Sequence, residues 1–240
     1  MVPRELIDTA PIPGGEGALR LFRRGGEFSI MLGANELMNS RLGGSEAALA
    51  RAACGKVAGR PRLRLLIGGL GMGFTLRAAL AALGPDARIV VAELVPAVVA
   101  WARGPMAIVF GASLADPRVE IVEADVAGLI HGATAAWDAI LLDVDNGPDG
   151  LSLPANDRLY TESGLREAGA ALRSGGILAI WSAAADPAFT RRLRRAGFVA
   201  EEHPVRAAGG RRGPRHMIWV ATRAPIAPER KRRNGGREDA

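Results

Sequence analysis

The run Leu63-Arg-Leu-Leu-Ile-Gly-Gly-Leu-Gly-Met-Gly73 limits what this chain can fold into more than any other stretch. Its first half is apolar enough for a buried strand, and its second half is a glycine-rich turn. Phe74–Leu83, apolar with alanine spacing and one arginine, then opens a helix. A strand, a tight turn and a helix N-terminus together present backbone N–H groups and the positive end of the helix dipole to a polar ligand. Glycine also serves ordinary turns, so the residues at fixed distances beyond this one decide its meaning.

Those residues alternate between strand and helix. The strand candidates are Leu63–Ile67, Arg88–Ala92, Val119–Glu123, Ala139–Leu142 and Ile177–Trp181. Helices are expected at Phe74–Leu83, Pro96–Arg103, Val126–His131 and Glu162–Arg173, the last stopped by Ser174-Gly-Gly176. Pro96 suits a first helical turn, where its missing N–H costs nothing. Such alternation argues for a parallel sheet covered on both faces. The end departs from it: a helix at Asp186–Ala196 is stopped by Gly197, and strands at Phe198–Val205 and His216–Thr222 form an antiparallel pair at one edge.

Residues 1–45 have a different texture. Leu6–Ala10, Ala18–Phe22 and Glu27–Leu32 are short and partly alternating, separated by prolines and glycines, which is the pattern of a small β-meander. Asn35–Gly44 reads as a polar loop, and Ser45-Glu46 as the cap of an alanine-rich helix running to Val57. The expected organisation is a small N-terminal β domain at 1–45, a nucleotide-binding domain at 46–223 and a disordered basic tail at 224–240.

A chain of 240 residues can bury a full core without staples. It has no uninterrupted apolar run long enough to cross a membrane and no basic-then-apolar leader, so a cytoplasmic protein is expected. The single cysteine, Cys54, excludes an internal disulfide and a cysteine metal cluster and reads as a small buried apolar residue. The net charge of +6 is concentrated partly in the tail, read as solubilising, with a nucleic-acid contact as the alternative.

In an open α/β sheet the ligand lies beyond the carboxyl ends of the strands. There the expected strands end in the glycine turn, then in Glu93, Asp125 and Asp143. Unpaired acids are expensive to bury, so these three should converge on one crevice. Glu93 stands at the interval from the turn at which a carboxylate accepts ribose hydroxyls. Asp125 can accept from an adenine amino group, and Asp143 would face the reacting end. Gly69, Leu70, Gly71 and Gly73 form the wall of this pocket, with Leu94 beside Glu93 and Val126 beside Asp125. The alternate glycines do not fit the dinucleotide fingerprint, and no phosphate loop is present, so a nucleoside without phosphates fits better. His131, His203 and His216 are scattered without ligand spacing, and no metal is expected. Of the tryptophans, Trp181 alone is near enough to line the crevice. Tyr160 reads equally as cavity lining or packing.

Taken together, these residues resemble the spermidine-synthase-like branch of the class I S-adenosylmethionine-dependent methyltransferase superfamily. The resemblance covers roughly residues 5–220 and rests on Leu6-Ile-Asp8, Ile67-Gly-Gly69, Thr75-Leu-Arg77, Glu93, Asp116-Pro-Arg-Val-Glu-Ile121 with Asp125, Trp137-Asp-Ala-Ile-Leu-Leu-Asp143, Leu159-Tyr160 and Leu172-Arg-Ser-Gly-Gly-Ile-Leu178. It implies an α/β, Rossmann-like class I methyltransferase fold: a mostly parallel seven-stranded sheet with an antiparallel edge hairpin, preceded by the small N-terminal β-meander. It also implies S-adenosylmethionine or decarboxylated S-adenosylmethionine as cofactor.

The departures separate two reactions. Aminopropyltransferases of the family carry, inside the glycine turn, an aspartate that holds the amino group of the decarboxylated donor; here that place is Gly71 or Met72. The family's Asp-Ser-Ser-Asp loop, whose first acid assists deprotonation of the attacking amine, appears as Asp143-Val-Asp-Asn146, which keeps the first acid and moves the second to Asp145. The tyrosine and glutamine that help hold the diamine are replaced around Ser45-Glu46.

A methyltransferase acting on a small amine or hydroxyl acceptor is therefore expected, with Asp143 as base and Asp145 as a second acid that orients the acceptor or stabilises a cationic amine. An aminopropyltransferase acting on a polyamine, and a non-catalytic adenosyl-ligand or nucleic-acid-associated protein, are the alternatives. The expected partner is a small-molecule acceptor and not a membrane, with homodimerisation open.

Overall fold

The computed structural model describes residues 2–15, 17–144, 147–148, 154–208 and 213–224; Asp145, Asn146 and the tail from Pro225 onward lie outside them. The chain begins with a four-stranded antiparallel sheet of β1 (Glu5–Pro11), β2 (Ala18–Arg24), β3 (Glu27–Leu32) and β4 (Asn35–Asn39), paired in sequence order. The fourth strand corrects the loop expected at Asn35–Gly44. Its polar residues read as a loop, but β4 is an edge strand paired only with β3, and an edge strand can leave polar side chains in water.

Helix α1 (Gly44–Val57) follows, with Gly43 at the N-cap and no side chain capping it. The expected Ser45-Glu46 cap is thus incorrect: Ser45 is already inside the helix, fully buried, and its hydroxyl serves other partners. The chain then runs through β5 (Arg64–Gly68), α2 (Phe74–Ala82), β6 (Arg88–Glu93), α3 (Pro96–Arg103), α4 (Ala107–Phe110), β7 (Val119–Glu123), α5 (Val126–Ile130) and β8 (Trp137–Leu142). It continues with α6 (Pro154–Tyr160), α7 (Glu162–Ala171), β9 (Leu172–Ser182), α8 (Pro187–Arg195), β10 (Phe198–Arg206) and β11 (Arg215–Arg223). Helix α7 ends at Ala171, before the expected glycine stop. Leu172 already pairs with Trp137, so Ser174-Gly-Gly176 falls at a register shift within β9 rather than after a helix.

These strands form a seven-stranded sheet in the order β10-β11-β9-β8-β5-β6-β7, with β9, β8, β5, β6 and β7 parallel and β11 and β10 antiparallel at one edge. Every residue of β8 is buried, as a central parallel strand covered on both faces requires. One apolar cluster lies on one face, where Leu65, Ile67 and Leu141 meet α1, α2 and α3. The same cluster takes in Leu19, Leu21, Phe28 and Ile30, so the small sheet shares its core with the large one. Trp101 on α3 adds a polar tie, donating its indole N–H to Asp8 at 2.6 Å. The second cluster, around Leu66, Ile140, Phe189 and Trp219, fills the opposite face.

Cys54 is fully buried, and burial pushes its thiol up to about 12. Tyr160 resolves as packing: it is 2% exposed, its ring meets Phe189 edge-on, and its hydroxyl donates to the Val144 carbonyl. Among the described residues no helix is long and apolar enough to cross a membrane.

Candidate functional site

Strand β5 pairs with β6 on one side and β8 on the other, and the chain leaves it first toward β6 and β7 and only later returns to β8. That reversal is the topological switch point, where open α/β sheets form their crevice. The glycine turn sits there. Gly69 donates its N–H to Ala92 at 2.8 Å, and Asp143 donates its own to Gly68 at 3.0 Å, so the turn is stitched to both neighbouring strand ends.

Two glycines in the turn are sterically obligatory. Gly69 has φ +90°, and a Cβ there would lie 2.4 Å from the Asp143 carbonyl oxygen. Gly73 has φ +72°, and a Cβ would lie 2.4 Å from the Phe110 ring. Only glycine combines that conformation with such an approach. Leu70 and Met72 turn inward, 4% and 3% exposed, while Gly71 lies against the Met38 sulfur of β4. Arg77 clamps the turn from α2 through a 2.9 Å bond to the Met72 carbonyl.

Glu93, at the end of β6, is buried, and its carboxylate faces the turn. One oxygen accepts the Leu70 N–H and the other the Val95 N–H, both at 2.9 Å. Burial raises its pKa, against the pull of these backbone bonds. The Gly71 and Leu94 N–H groups also bond to it, so Glu93 braces the whole turn. The residues present fit a nucleoside: a glycine-lined turn beside a carboxylate of the kind that accepts from a ribose. Leu94 beside it is half-buried.

Asp125 caps α5, accepting the Ala127 N–H at 2.8 Å, and its second oxygen pairs with Arg158 of α6 at 2.6 Å. Sequence reasoning did not anticipate Arg158, since α6 itself was not expected. Val126 is buried against Gly68, its methyl 3.0 Å from where a Cβ would stand.

Asp143 follows β8 and is half-buried. Its Oδ2 accepts the hydroxyl of Thr75, in the first turn of α2, at 2.6 Å. Burial, reinforced by the nearby charge of Glu46, pushes Asp143 up to about 7, with the Thr75 bond opposing. Asp145, the other acid expected to act here, lies outside the described residues.

The structure adds a group of side chains that the motif reading passed over. Ser45 donates its hydroxyl to Glu46 Oε2 at 2.6 Å, and His216 Nδ1 lies 2.9 Å from the Ser45 Oγ. Burial raises the pKa of Glu46 and lowers that of His216. The His216 ring meets Trp181 edge-on at 4.7 Å, and the Trp181 indole N–H is buried without a hydrogen-bond partner among the described residues. Because β11 runs antiparallel to β9, His216 near its start reaches the same end of the sheet as Trp181. The only sequence signal for this group was an acid in the first turn of an apolar helix.

Two groups of acids among the described residues contrast. Asp138, at the opposite end of β8, is tied to Arg60 at 3.1 Å, to Arg173 at 2.7 Å and to the Arg64 N–H, and Asp116 is clamped by Arg118. These are structural. Among the described residues Glu46, Glu93 and Asp143 have no cationic partner, yet all three are withdrawn from water at one end of the sheet. Acids left uncompensated in this way make this end of the sheet the candidate site.

No protein-family model matches the sequence, and no curated protein does. Among solved structures, spermidine synthase from Thermotoga maritima matches with a TM-score of 0.70 and 18% identity over 92% of this chain and 73% of that one. A spermidine synthase solved with the transition-state analogue AdoDATO matches equally, with a TM-score of 0.70 and 18% identity over 92% and 73% of the two chains. The 1,6-didemethyltoxoflavin-N1-methyltransferase of Burkholderia thailandensis, solved with 1,6-didemethyltoxoflavin and S-adenosylhomocysteine, matches with a TM-score of 0.52 and 20% identity over 75% of this chain and 78% of that one. The chain thus has the Rossmann-like fold common to spermidine synthases and class I S-adenosylmethionine-dependent methyltransferases.

Proposed function

We propose that the chain is an S-adenosylmethionine-dependent methyltransferase acting on a small amine or hydroxyl acceptor. One observation carries the choice of donor. The glycine turn offers no carboxylate to an amino group: Met72 is buried in the core and Gly71 faces Met38. The ammonium group of an aminopropyl donor would lack the turn aspartate that the family resemblance leads one to expect, and the carboxylate that S-adenosylmethionine carries beside its own ammonium group meets no acid within the turn.

When bound, S-adenosylmethionine supplies an activated methyl carbon on a cationic sulfur. The rest falls to residues of this chain. Glu93 holds the turn and accepts from the ribose, and Gly69 and Gly73 keep the wall free of side chains. Thr75 occupies one oxygen of Asp143 and leaves Oδ1 for the acceptor. With its pKa raised to about 7, Asp143 is partly ionised near neutrality and basic enough to take the acceptor's proton. Alignment of acceptor and donor in a site that excludes water supplies the remainder of the rate.

Calorimetric titration with S-adenosylmethionine, decarboxylated S-adenosylmethionine and methylthioadenosine tests this reading. Tightest binding of S-adenosylmethionine is expected, and preference for the decarboxylated form would overturn it. A second reading, aminopropyl transfer to a polyamine, is favoured by the extent of the structural likeness, which covers 92% of the chain for the spermidine synthases against 75% for the methyltransferase. Absence of binding by any adenosyl compound would remove both.

A further inference from the structure

Trp181 is the last but one residue of β9, and the sheet puts it beside the acid that follows β8. Leu142 pairs with Ile180 in the parallel register of these strands, so Asp143 and Trp181 are the next residues along, with their Cα atoms about 5 Å apart. They also share a face, because side chains two apart on a strand point the same way. Leu141 and Ala179, two residues earlier on each strand, both belong to the cluster under α1 and α2. Trp181 packs against that cluster, and Asp143 bonds to Thr75 of α2.

The Trp181 ring is half-buried, but its indole N–H is closed off from water and has no hydrogen-bond partner among the described residues. Two other buried nitrogens share that condition. Trp137 Nε1 stands at the opposite end of β8, and His203 Nε2 has the Glu201 carboxylate 3.5 Å away. Of the three residues, Trp181 alone adjoins Asp143. Its ring is held on one side by His216, edge-on at 4.7 Å, which Ser45 anchors through the 2.9 Å contact at Nδ1. A half-turn about the Cβ–Cγ bond, a torsion with two broad wells in tryptophan, keeps the plane of the ring and exchanges its buried edge for its exposed one.

Proteins pair nearly all their buried donors, so one left over beside the candidate base calls for a partner. We infer that Trp181 is an acceptor-binding residue whose indole N–H donates to the acceptor molecule. That molecule then carries two groups: the amine or hydroxyl that Asp143 serves and, about a strand spacing away, a carbonyl oxygen or ring nitrogen with a free lone pair. Its class is that of amino- or hydroxy-substituted carbonyl compounds and nitrogen heterocycles. Polyamines fall outside it. Their ammonium groups donate and cannot accept, so a bound polyamine leaves the indole N–H unpaired. This assignment rests on the methyl-transfer reading and narrows its acceptor.

The test is calorimetry on the full chain at pH 8, with S-adenosylhomocysteine present, using 3-aminoacetophenone and 3-ethylaniline. The two probes match in shape and in their neutral amine and differ in the carbonyl oxygen. Wild type is expected to bind the ketone about tenfold or more tightly than 3-ethylaniline, and more tightly than 1,4-diaminobutane. Trp181→Phe keeps a ring and loses the N–H, so the preference should shrink to within about twofold through weaker binding of the ketone alone. A second measurement needs no variant: in the NMR spectrum of wild type, the Trp181 indole N–H resonance should move downfield with the ketone and stay in place with 3-ethylaniline.

Equal affinity of wild type for the two probes, no binding of either, a preference that survives in Trp181→Phe, an indole resonance indifferent to the ketone, or tighter binding of 1,4-diaminobutane would each overturn the assignment. S-adenosylhomocysteine binding is read first in the same samples. Its absence removes the donor reading and this assignment with it, whereas its presence together with equal affinity for the two probes counts against the role of Trp181 alone.

Discussion

Thr75 donates its hydroxyl to Asp143 Oδ2 at 2.6 Å, joining the first turn of α2 to the end of β8 across the switch point of the sheet. The bond opposes the effect of burial on Asp143, which still leaves that acid at about 7 against an ordinary 3.8. Turnover is expected to rise with pH up to about 7 and level off above it, as the base becomes ionised. Thr75→Val removes a bond that favours the charged form, so its pH–rate profile should shift upward. A profile that does not move would show that Thr75 has no hold on the base.

The same acid makes stability depend on pH. An acid whose pKa rises on folding keeps its proton longer in the folded state, so stability is highest below the unfolded value of 3.8 and falls as pH rises through about 7. Asp143→Asn should therefore melt higher than wild type at pH 8, by about 1–3 kcal/mol, and match it at pH 4. Melting curves at the two pH values check this, and equal gains at both would contradict the sign.

Glu93 accepts the Leu70 and Val95 N–H groups, with those of Gly71 and Leu94 also bonded to it, and removing it takes the acceptor from all of them. Glu93→Ala should lower stability by about 2–4 kcal/mol and weaken adenosyl binding by more than tenfold. Glu93→Gln keeps one acceptor oxygen and should lie between. Unchanged affinity for S-adenosylhomocysteine in a folded Glu93→Ala protein would exclude the ribose role.

Gly69 stands 2.4 Å, at its virtual Cβ, from the Asp143 carbonyl oxygen, with φ +90°. Gly69→Ala must displace backbone, so a loss of about 3 kcal/mol or more is expected, read by denaturant unfolding. A mild effect would mean that the turn and the end of β8 separate easily.

Asp125 combines an N-cap on α5 with the pair to Arg158, whose side chain is 60% exposed. Exposed pairs contribute little, so Arg158→Ala should cost less than about 1 kcal/mol, while Asp125→Ala also loses the cap and should cost about 1 kcal/mol more. If Asp125 also accepts from an adenine amino group, Asp125→Ala will weaken adenosyl binding and Arg158→Ala will not. Calorimetry on the two variants separates the roles.

The positions of Glu93 and Asp143 at the carboxyl end of the sheet were legible because each closes or follows an apolar strand. Strand β4 and helix α6 were not, since their polar residues carry no periodicity that separates an edge strand or a short helix from a loop. Ser174-Gly-Gly176 read as a helix stop because glycines after a helix usually are one, but Leu172 was already drawn into pairing with Trp137.

The alternation of apolar strands and amphipathic helices from Leu63 onward, with the antiparallel pair at the end, was enough by itself to determine the layered fold and the place of the glycine turn. Those are consequences of local periodicity and of short connections. The meeting of Ser45, Glu46 and His216 beside Asp143 was decided only by the tertiary structure. It depends on β11 returning antiparallel beside β9 and on α1 packing across the same end of the sheet, long-range contacts that no spacing along the chain encodes.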